Sequence, residues 1–398
     1  MSKRILLHDY GGYAFTYQLA VQLATRGHEV QYIYSDTTQY IKRNSYHSGK
    51  NTPNLQVIGI KLSKPFQKYS FFQRRLQEIE HGKAVSSSIQ IFHPQVVVSA
   101  DTPLDAQQQI VRASHDVKAS FIFWLQDVIG IATQKVLSKK YSLVGSLIGS
   151  YYEMLEKSLV QQSNRVVLIS DDFVPLMNTW RVGPEKVKII PNWSPLNEIV
   201  PQPKDNLWAR NFGLEDKFCF VYSGILGLKH NPEIFLNLAS AFKDCLDSRV
   251  VVIAEGPGAE WLKDQKKVRG LDNLVLLNYQ PYDLLSSVLG TADVLVAVLG
   301  QDAGAYSVPS KVLTYLCTNR PLLLSVPLQN LAARMIEENR AGLVAPAGDN
   351  EAFVESAFRL YRDSEMRQEM GGNGIKYARN QFDILKITDR FEQLMESA

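Results

Sequence analysis

The sequence predicts an α/β protein of two domains, each a Rossmann-like sheet of parallel strands flanked by helices. Two observations lead to this class. Short apolar runs rich in β-branched residues alternate with segments of helical periodicity, as strands buried on both faces of a parallel sheet do. This series also occurs twice in 398 residues, a length that suits two domains of about 180–200 residues each.

The predicted strands define the two domains. In the first series they are residues 4–7, 29–34, 55–60, 95–100, 120–125 and 165–170. After a segment rich in proline and asparagine, 191–211, the second series consists of 218–223, 250–254, 274–277, 294–298 and 321–325. We expect domains at 1–191 and 192–375, and a C-terminal helix within 376–398 that packs back on the first domain. Two such sheets facing across a cleft would suit an enzyme with two substrates.

Composition excludes several classes of protein. With 45% hydrophobic and 21% charged residues, the chain is typical of globular proteins. A formal charge of +3 is too small for the basic surface that nucleic-acid binding requires. Cys219, Cys245 and Cys317 lack the count and spacing of a disulfide framework or a zinc site. No apolar run reaches the roughly 18–20 residues that span a bilayer, so we expect a cytoplasmic protein.

A glycine pair, Gly11-Gly12, follows the first predicted strand and precedes a helical pattern. Glycine at such a turn lets the backbone approach a ligand closely and exposes helix N-terminal amides to an anion. The pair is equally compatible with a tight turn alone, and the three-glycine nucleotide fingerprint is absent. Gly12 is therefore a candidate phosphate contact.

A second motif, Tyr222-Ser223-Gly224, closes the first strand of the second domain, and Lys229 follows before a predicted helix at 232–242. Gly224 would allow a sharp exit from the strand, and Lys229 would supply a point charge suited to phosphate. This pattern predicts a diphosphate clamp. The alternative is a lysine solvated in an exposed turn.

A third motif, Val308-Pro309-Ser310-Lys311, precedes a predicted helix at 312–317. Ser310 is the expected N-cap, and Lys311 would place a cation in the first turn, where it opposes the helix dipole. A phosphate bound at the same helix terminus would remove this conflict. A solvated lysine without a ligand is again the alternative.

Carboxylates follow two strands of the first domain. Asp127 comes after the strand 120–125 and could orient an acceptor hydroxyl or a leaving group. A helix N-cap is an equally good interpretation of Asp127, and Asp101, after the strand 95–100, is ambiguous in the same way.

The order of these motifs resembles bacterial family-4 glycosyltransferases of the colanic-acid and exopolysaccharide type, over nearly the whole chain. The matching segments are 8–12, 26–30, 190–193, 222–232, 255–257 and 307–315. The resemblance implies a GT-B fold and a sugar nucleotide bound mainly by the second domain. It also implies retention of anomeric configuration, no catalytic metal and no cofactor. We favour a UDP-sugar slightly over a GDP-sugar as the donor.

The resemblance also assigns roles to residues. Lys229 and Lys311 would neutralise the diphosphate leaving group, and together with Asp127 they form the expected catalytic set. A loop would face the donor sugar through Asp302, Ala303, Gly304 and Tyr306. The expected nucleotide and diphosphate contacts are Gly12, Gly224, Lys229, Glu255, Ser310, Lys311 and Thr314.

The chain departs from the family pattern at one pair of positions. Much of the family has two glutamates eight positions apart, the second of which holds the nucleotide ribose, and here Tyr306 and Thr314 occupy these positions. A neutral hydroxyl is a weaker acceptor than a carboxylate. Either Asp302 or Glu255 helps to hold the donor, or the affinity is lower.

Two stretches combine basic and aromatic residues, a composition that suits the anionic headgroup layer of a membrane. We expect the protein to bind there peripherally, beside a lipid-linked saccharide or polysaccharide acceptor. A solvated helix with aromatic residues in the core is the alternative. The first stretch contains Lys64, Phe66, Lys68, Tyr69, Phe71, Phe72, Arg74 and Arg75, and the second contains Lys135, Lys139, Lys140, Tyr141, Tyr151 and Tyr152.

Two other functions fit the same fold. A GT-B sugar-nucleotide epimerase would need an acid/base pair but no acceptor site and no membrane-facing surface. A non-catalytic module that binds a nucleotide sugar would account for the missing glutamates.

Overall fold

The computed structural model describes residues 2–36, 52–67, 70–301 and 310–397. The chain divides into two compact units. The first consists of Met1–Asn192 with Ile384–Ala398, and the second of Trp193–Asp383. Residues 376–381 complete a helix of the second unit, so the C-terminal segment of the first unit begins at Ile384 rather than at 376.

A parallel sheet of seven strands forms the centre of the first unit, in the order β3-β2-β1-β4-β5-β6-β7. In β1 every residue after Arg4 is buried, as expected of a central strand. Ile5 pairs with Val30 on one side and with Val96 on the other, so the strand order reverses beside β1. The strands are β1 (Arg4–Asp9), β2 (Glu29–Ser35), β3 (Leu55–Ile60), β4 (Val96–Ala100), β5 (Ser120–Leu125), β6 (Arg165–Leu168) and β7 (Val187–Ile189).

Helices follow several of these strands and pack against the sheet. Between α2 and α3, a Cβ at Gly82 would lie 2.7 Å from the Cα atom of Ala106, so glycine allows the two helices to pack closely. The helices are α1 (Ala14–Thr25), α2 (Phe71–Phe92), α3 (Leu104–Asp116), α4 (Ile129–Gln162) and α5 (Val174–Thr179).

The second unit has a parallel sheet of six strands in the order β10-β9-β8-β11-β12-β13, so its strand order reverses beside β8. Its core contains aromatic side chains such as Phe220, Phe235 and Phe353. The strands are β8 (Phe218–Ser223), β9 (Ser248–Ile253), β10 (Leu274–Leu277), β11 (Val294–Val298), β12 (Leu322–Val326) and β13 (Gly342–Pro346). The helices are α6 (Leu207–Asn211), α7 (Glu233–Ala241), α8 (Pro257–Arg269), α9 (Leu285–Gly290), α10 (Ser310–Leu316), α11 (Leu331–Glu338), α12 (Asn350–Arg362) and α13 (Ser364–Gln381).

The last helix, α14 (Ile384–Glu396), packs on the first unit. Its Phe391 ring lies 4.8 Å from the ring of Trp124, between centroids. At the surface, Arg26 donates to Asp389 over 2.6 Å and also to Glu392. Apolar packing and ion pairs together attach the end of the chain to this unit.

The predicted α/β class with two parallel sheets is confirmed. Two edge strands, β7 and β13, were not predicted from the sequence. β7 is only three residues long, and β13 begins with glycine and ends with proline, both of which are depleted in strands. Within the described part of the chain, none of the helices is both long enough and apolar enough to cross a membrane.

Candidate functional site

The site is built around the end of β8 in the second unit. Open parallel sheets bind ligands outside the carboxyl ends of their strands, where the strand order reverses. Gly224 follows β8 with a φ of +145°, a conformation that side chains other than glycine rarely adopt. A Cβ at this position would lie 2.9 Å from Lys311 Nζ. Gly224 therefore leaves room for the lysine head group.

Lys311 lies in the first turn of α10, and its ammonium reaches back to β8. Nζ donates to the hydroxyl oxygen of Tyr222 over 2.6 Å and lies 3.8 Å from the centroid of the same ring. The Tyr222 hydroxyl donates in turn to the Ile225 carbonyl over 2.8 Å, so its lone pairs face the ammonium. A cation over a ring face gains electrostatic stabilisation, and the contact fixes the lysine in one position.

Burial lowers the pKa of Lys311 to about 7, because removal from water disfavours the charged form. Among the residues that the structure describes, no carboxylate forms an ion pair with this ammonium. Neutral groups therefore hold a partly buried cation at the edge of the sheet. An anionic ligand here would restore the charged state of Lys311 and would stabilise it.

Helix α10 is fixed to β8 by a second tyrosine, one turn after Lys311. The hydroxyl of Tyr315 accepts from the Ser223 amide over 2.9 Å and donates to the Ser223 carbonyl over 3.1 Å. Ser310, expected to be the N-cap of this helix, is already helical and is exposed; it is the first residue of the helix that the structure describes. The N-cap prediction for Ser310 is therefore wrong.

The loops after β8 and β9 are joined through Leu226. Its amide donates to the Glu255 carbonyl over 2.9 Å, and its carbonyl accepts from the Gly258 amide over 2.9 Å. A Cβ at Gly256 would lie 2.8 Å from the Leu226 carbonyl oxygen, so this close approach requires glycine. The exposed side chain of Glu255 thus extends from a fixed loop at the same edge of the sheet as Lys311.

Tyr279, which follows β10, is a further side chain at this edge that no sequence motif indicates. Its side chain is about half exposed, and burial together with the Glu255 carboxylate raises its pKa. No motif marks this position, because an aromatic residue after a strand is usually part of the core. The contact of Tyr222 with Lys311 and the contact of Tyr315 with Ser223 were also not predicted. They join residues 89 and 92 positions apart, which no local spacing rule connects.

Lys229 and Thr314 are the remaining predicted nucleotide contacts of this unit. Lys229 lies in a short 3-10 helix, Leu228–His230, and its side chain is outside the described part of the structure. The Gly227 amide donates to the His230 ring over 3.1 Å, which orders this turn.

The Thr314 hydroxyl accepts from Ser194 over 3.4 Å and donates to a carbonyl of its own helix over 3.5 Å. The predicted donor-sugar loop, Asp302, Ala303, Gly304 and Tyr306, lies outside the described residues.

In the first unit, Gly12 lies in the turn between β1 and α1, with a φ of +66°. The carboxylate of Asp9 accepts from the Gly11 amide over 3.0 Å and from the Tyr13 amide over 2.6 Å. Burial raises the pKa of Asp9 to about 6. The Asp9 carboxylate thus accepts hydrogen bonds from amides at the start of α1 that could otherwise bind an anionic ligand. The role of Gly12 as a phosphate contact stays a prediction.

Asp127 is exposed after β5 and does not cap α4, whose N-cap position is Val128. The buried carboxylate of Glu156 instead accepts from the first amides of that helix, Ile129 over 3.0 Å and Gly130 over 2.9 Å. The N-cap interpretation of Asp127 is therefore wrong.

Burial and the nearby charges of Asp9 and Asp127 raise the pKa of Asp101, which has a φ of +44°.

Metal ligands have a recognisable geometry, and the described residues include no group of three or more histidine, cysteine, aspartate or glutamate side chains arranged to hold an ion.

Comparisons with known proteins relate the second unit to a family of glycosyltransferases. Residues 205–377 match the family model described as glycosyl transferases group 1. An α-D-kanosaminyltransferase of Streptomyces kanamyceticus is 21% identical over 184 residues, which cover 45% of this chain and 45% of that protein. The present chain thus spans less than half the length of this curated relative.

Solved structures resemble the whole chain. The Anabaena protein Alr3699/HepE in complex with UDP-glucose superposes with a TM-score of 0.72 at 13% identity, covering 100% of both chains. WaaG, a glycosyltransferase involved in lipopolysaccharide biosynthesis, superposes with a TM-score of 0.68 at 15% identity, covering 98% of this chain and 99% of that one. The fold is therefore GT-B, and its second unit matches the glycosyl transferases group 1 model.

Proposed function

We propose that this protein is a metal-independent, retaining glycosyltransferase that uses a nucleoside-diphosphate sugar, with UDP favoured over GDP. The observation that carries the proposal is the partly buried ammonium of Lys311, which Tyr222 holds in the space left by Gly224 without a carboxylate partner among the described residues. The match of residues 205–377 to group 1 glycosyl transferases supports the reaction class. The likeness to a protein solved with UDP-glucose supports the donor class.

In the proposed reaction, the bond between the sugar C1 and the diphosphate oxygen breaks, and an acceptor hydroxyl oxygen bonds to C1 on the same face. The proton of that hydroxyl leaves with the diphosphate. Negative charge develops on the diphosphate, and a preorganised cation in a partly dry site stabilises it more effectively than water would. Lys311 and Lys229 supply this charge, and Asp127 orients the acceptor hydroxyl.

The proposed acceptor is a lipid-linked saccharide or a growing polysaccharide at the cytoplasmic face of a membrane, as in the colanic-acid and exopolysaccharide enzymes of family 4. The order of motifs along the chain supports this class. The likeness to WaaG, a lipopolysaccharide enzyme, points in the same direction. We accordingly place the protein peripherally on an anionic membrane.

The nucleotide is identified by a thermal-shift panel of UDP, GDP, ADP and dTDP. A ligand at about 100 times its dissociation constant adds about 2.7 kcal/mol to the free energy of unfolding, so the correct nucleotide raises the Tm clearly. We expect the largest shift with UDP. If no nucleotide raises the Tm, the proposal is wrong.

Product analysis separates the reaction classes. With a UDP-sugar and a lipid-linked acceptor, we expect a new glycoside and free UDP. An epimerase would interconvert the donor sugar without an acceptor, and a binding module would leave the donor unchanged. Either of these results would replace the proposed transfer reaction.

A further inference from the structure

Helix α4 is a hairpin of two antiparallel arms, 129–140 and 143–162. The backbone leaves the helical conformation at Tyr141 and at Ser142, which has a φ of +47°. A Cβ at Gly145 would lie 2.0 Å from the Leu137 carbonyl oxygen. In a straight helix, residues 137 and 145 would be separated by about 12 Å along the axis, so the chain must reverse between them.

Glycines allow the two arms to approach closely along their length. A Cβ at Gly149 would lie 2.5 Å from the Cα atom of Gln134, and one at Gly130 would lie 2.7 Å from the Tyr152 carbonyl oxygen. The hydrogen bonds from Ile129 and Gly130 to Glu156 join the arms at the base. The hairpin is therefore a defined element whose two arms meet at a turn formed by residues 141 and 142.

Glycines occupy the face of the second arm that packs on the first arm, and the large side chains near the end of the hairpin are exposed to solvent. Leu143 is 81% exposed and Leu147 is 74% exposed, and Val136, Tyr141 and Val144 are each more than half exposed. We call residues 136–147 the hairpin tip. Exposed apolar side chains grouped on one short element in this way mark an interaction site in proteins.

The charge around the hairpin tip has one sign. Residues 128–152 contain three lysines, Lys135, Lys139 and Lys140, and no aspartate or glutamate. Lys135 and Lys139 are exposed, and neither forms an ion pair with any side chain that the structure describes. The arginines of the other basic stretch differ. Arg74 pairs with Glu78 over 2.7 Å, and Arg75 pairs with Asp105 over 3.2 Å.

We propose that the hairpin tip inserts into an anionic lipid surface. Apolar side chains rimmed by lysines gain both insertion into the acyl boundary and attraction to anionic headgroups. A second copy of the chain is a poorer partner, because a symmetric contact would bring the tip lysines of both copies together. Arg74 and Arg75, already neutralised by their carboxylate partners, contribute less to this attachment than the tip does.

The test is flotation of the full-length protein with vesicles of phosphatidylcholine, or of phosphatidylcholine and phosphatidylglycerol in equal parts. In the tip variant, Leu143, Val144 and Leu147 are each replaced by Gln, which keeps helix propensity. We expect its binding to anionic vesicles to fall by about tenfold or more. A matched control, Leu246→Gln with Val268→Gln, removes equally exposed apolar side chains from the second unit and should bind as wild type does.

Charge is tested separately from insertion. Lys135→Gln and Lys139→Gln should each weaken binding to anionic vesicles by about fivefold and leave binding to neutral vesicles unchanged. The variant Leu143→Trp reports insertion directly, since its fluorescence should shift to shorter wavelengths when anionic vesicles are added. This readout remains informative if the triple variant fails to fold.

Equal flotation of wild type and a folded tip variant would overturn the proposal, and so would the absence of a fluorescence shift in Leu143→Trp. It would also be overturned if wild type were a dimer, the tip variant were a monomer and vesicles bound neither protein. The inference rests on the peripheral membrane attachment proposed above. The assays contain no donor or acceptor, so a negative outcome would leave the proposed transfer reaction untouched.

Discussion

The ammonium nitrogen of Lys311 lies 2.6 Å from the hydroxyl oxygen of Tyr222, two residues that are 89 positions apart in the chain. The contact holds a cation from the start of α10 against the end of β8. Tyr222→Phe keeps the ring and removes the acceptor. We expect a loss of about 0.5–1.5 kcal/mol of transition-state stabilisation, seen mainly in kcat, because Lys311 is then less well positioned. Unchanged kcat and pH profile in steady-state kinetics would assign Tyr222 a packing role only.

The lowered pKa of Lys311 predicts how stability depends on pH. In the unfolded chain the lysine has a pKa near 10.5, whereas in the folded protein it is about 7. Between these values the unfolded state binds one more proton, so this residue makes stability rise with pH by about 1.4 kcal/mol per unit. Below pH 7 the contribution is constant and unfavourable.

Denaturant unfolding from pH 6 to pH 10 checks this, with Lys311→Met as the reference protein. The difference in unfolding free energy between wild type and variant should grow more favourable to wild type as the pH rises through this range. A difference that is independent of pH would show that Lys311 stays charged in the folded protein without a ligand.

Thr314→Glu restores the carboxylate that is usual in the resembling family. We expect the variant to fold, because Thr314 is only partly buried, and to bind the nucleotide more tightly if the residue faces the ribose. Calorimetry with UDP measures the change. Unaltered affinity in a folded variant would mean that another residue, such as Glu255, holds the ribose.

Gly224→Ala tests the space left for the lysine. The added Cβ would meet Lys311 Nζ at 2.9 Å, and a φ of +145° is strained for alanine, so we expect a loss of about 1–3 kcal/mol in stability together with weaker nucleotide binding. Gly372→Ala is the matched control, because a Cβ there meets nothing within 4 Å inside helix α13. The control should gain about 0.5–1 kcal/mol in chemical unfolding. If the two variants had the same stability and the same nucleotide affinity, Gly224 would not be needed to make room for Lys311.

Much of the fold could be predicted from the sequence, because buried parallel strands leave long apolar runs such as those of β1 and β5. The site could be predicted only in part. Gly224 and Lys311 have local signals, a glycine after a strand and a cation at a helix start. Tyr222, which holds Lys311, and Tyr315, which fixes α10 to β8, have none, since both look like core residues in the sequence.

The hairpin within α4 was also not predicted, although the sequence carries a signal for it. Gly145 and Gly149 are spaced by four residues and so lie on one face of a helix, where small side chains permit close packing against another helix. The apolar pattern on both sides of Ser142 continues without a proline or glycine at the turn itself. Only the positive φ of Ser142 in the structure reveals where the chain reverses.

In the proposed reaction, lysines and not a metal ion stabilise the departing diphosphate. The most direct measurement is the rate of sugar transfer by Lys229→Ala and Lys311→Ala, each compared with wild type, with Lys267→Ala on the exposed face of α8 as control, and with and without EDTA. We predict that each site variant folds normally and loses about 10²–10³-fold in kcat, that the control is unaffected, and that EDTA changes nothing. Near-wild-type turnover of Lys311→Ala, or loss of wild-type activity in EDTA, would contradict stabilisation of the diphosphate by lysines alone.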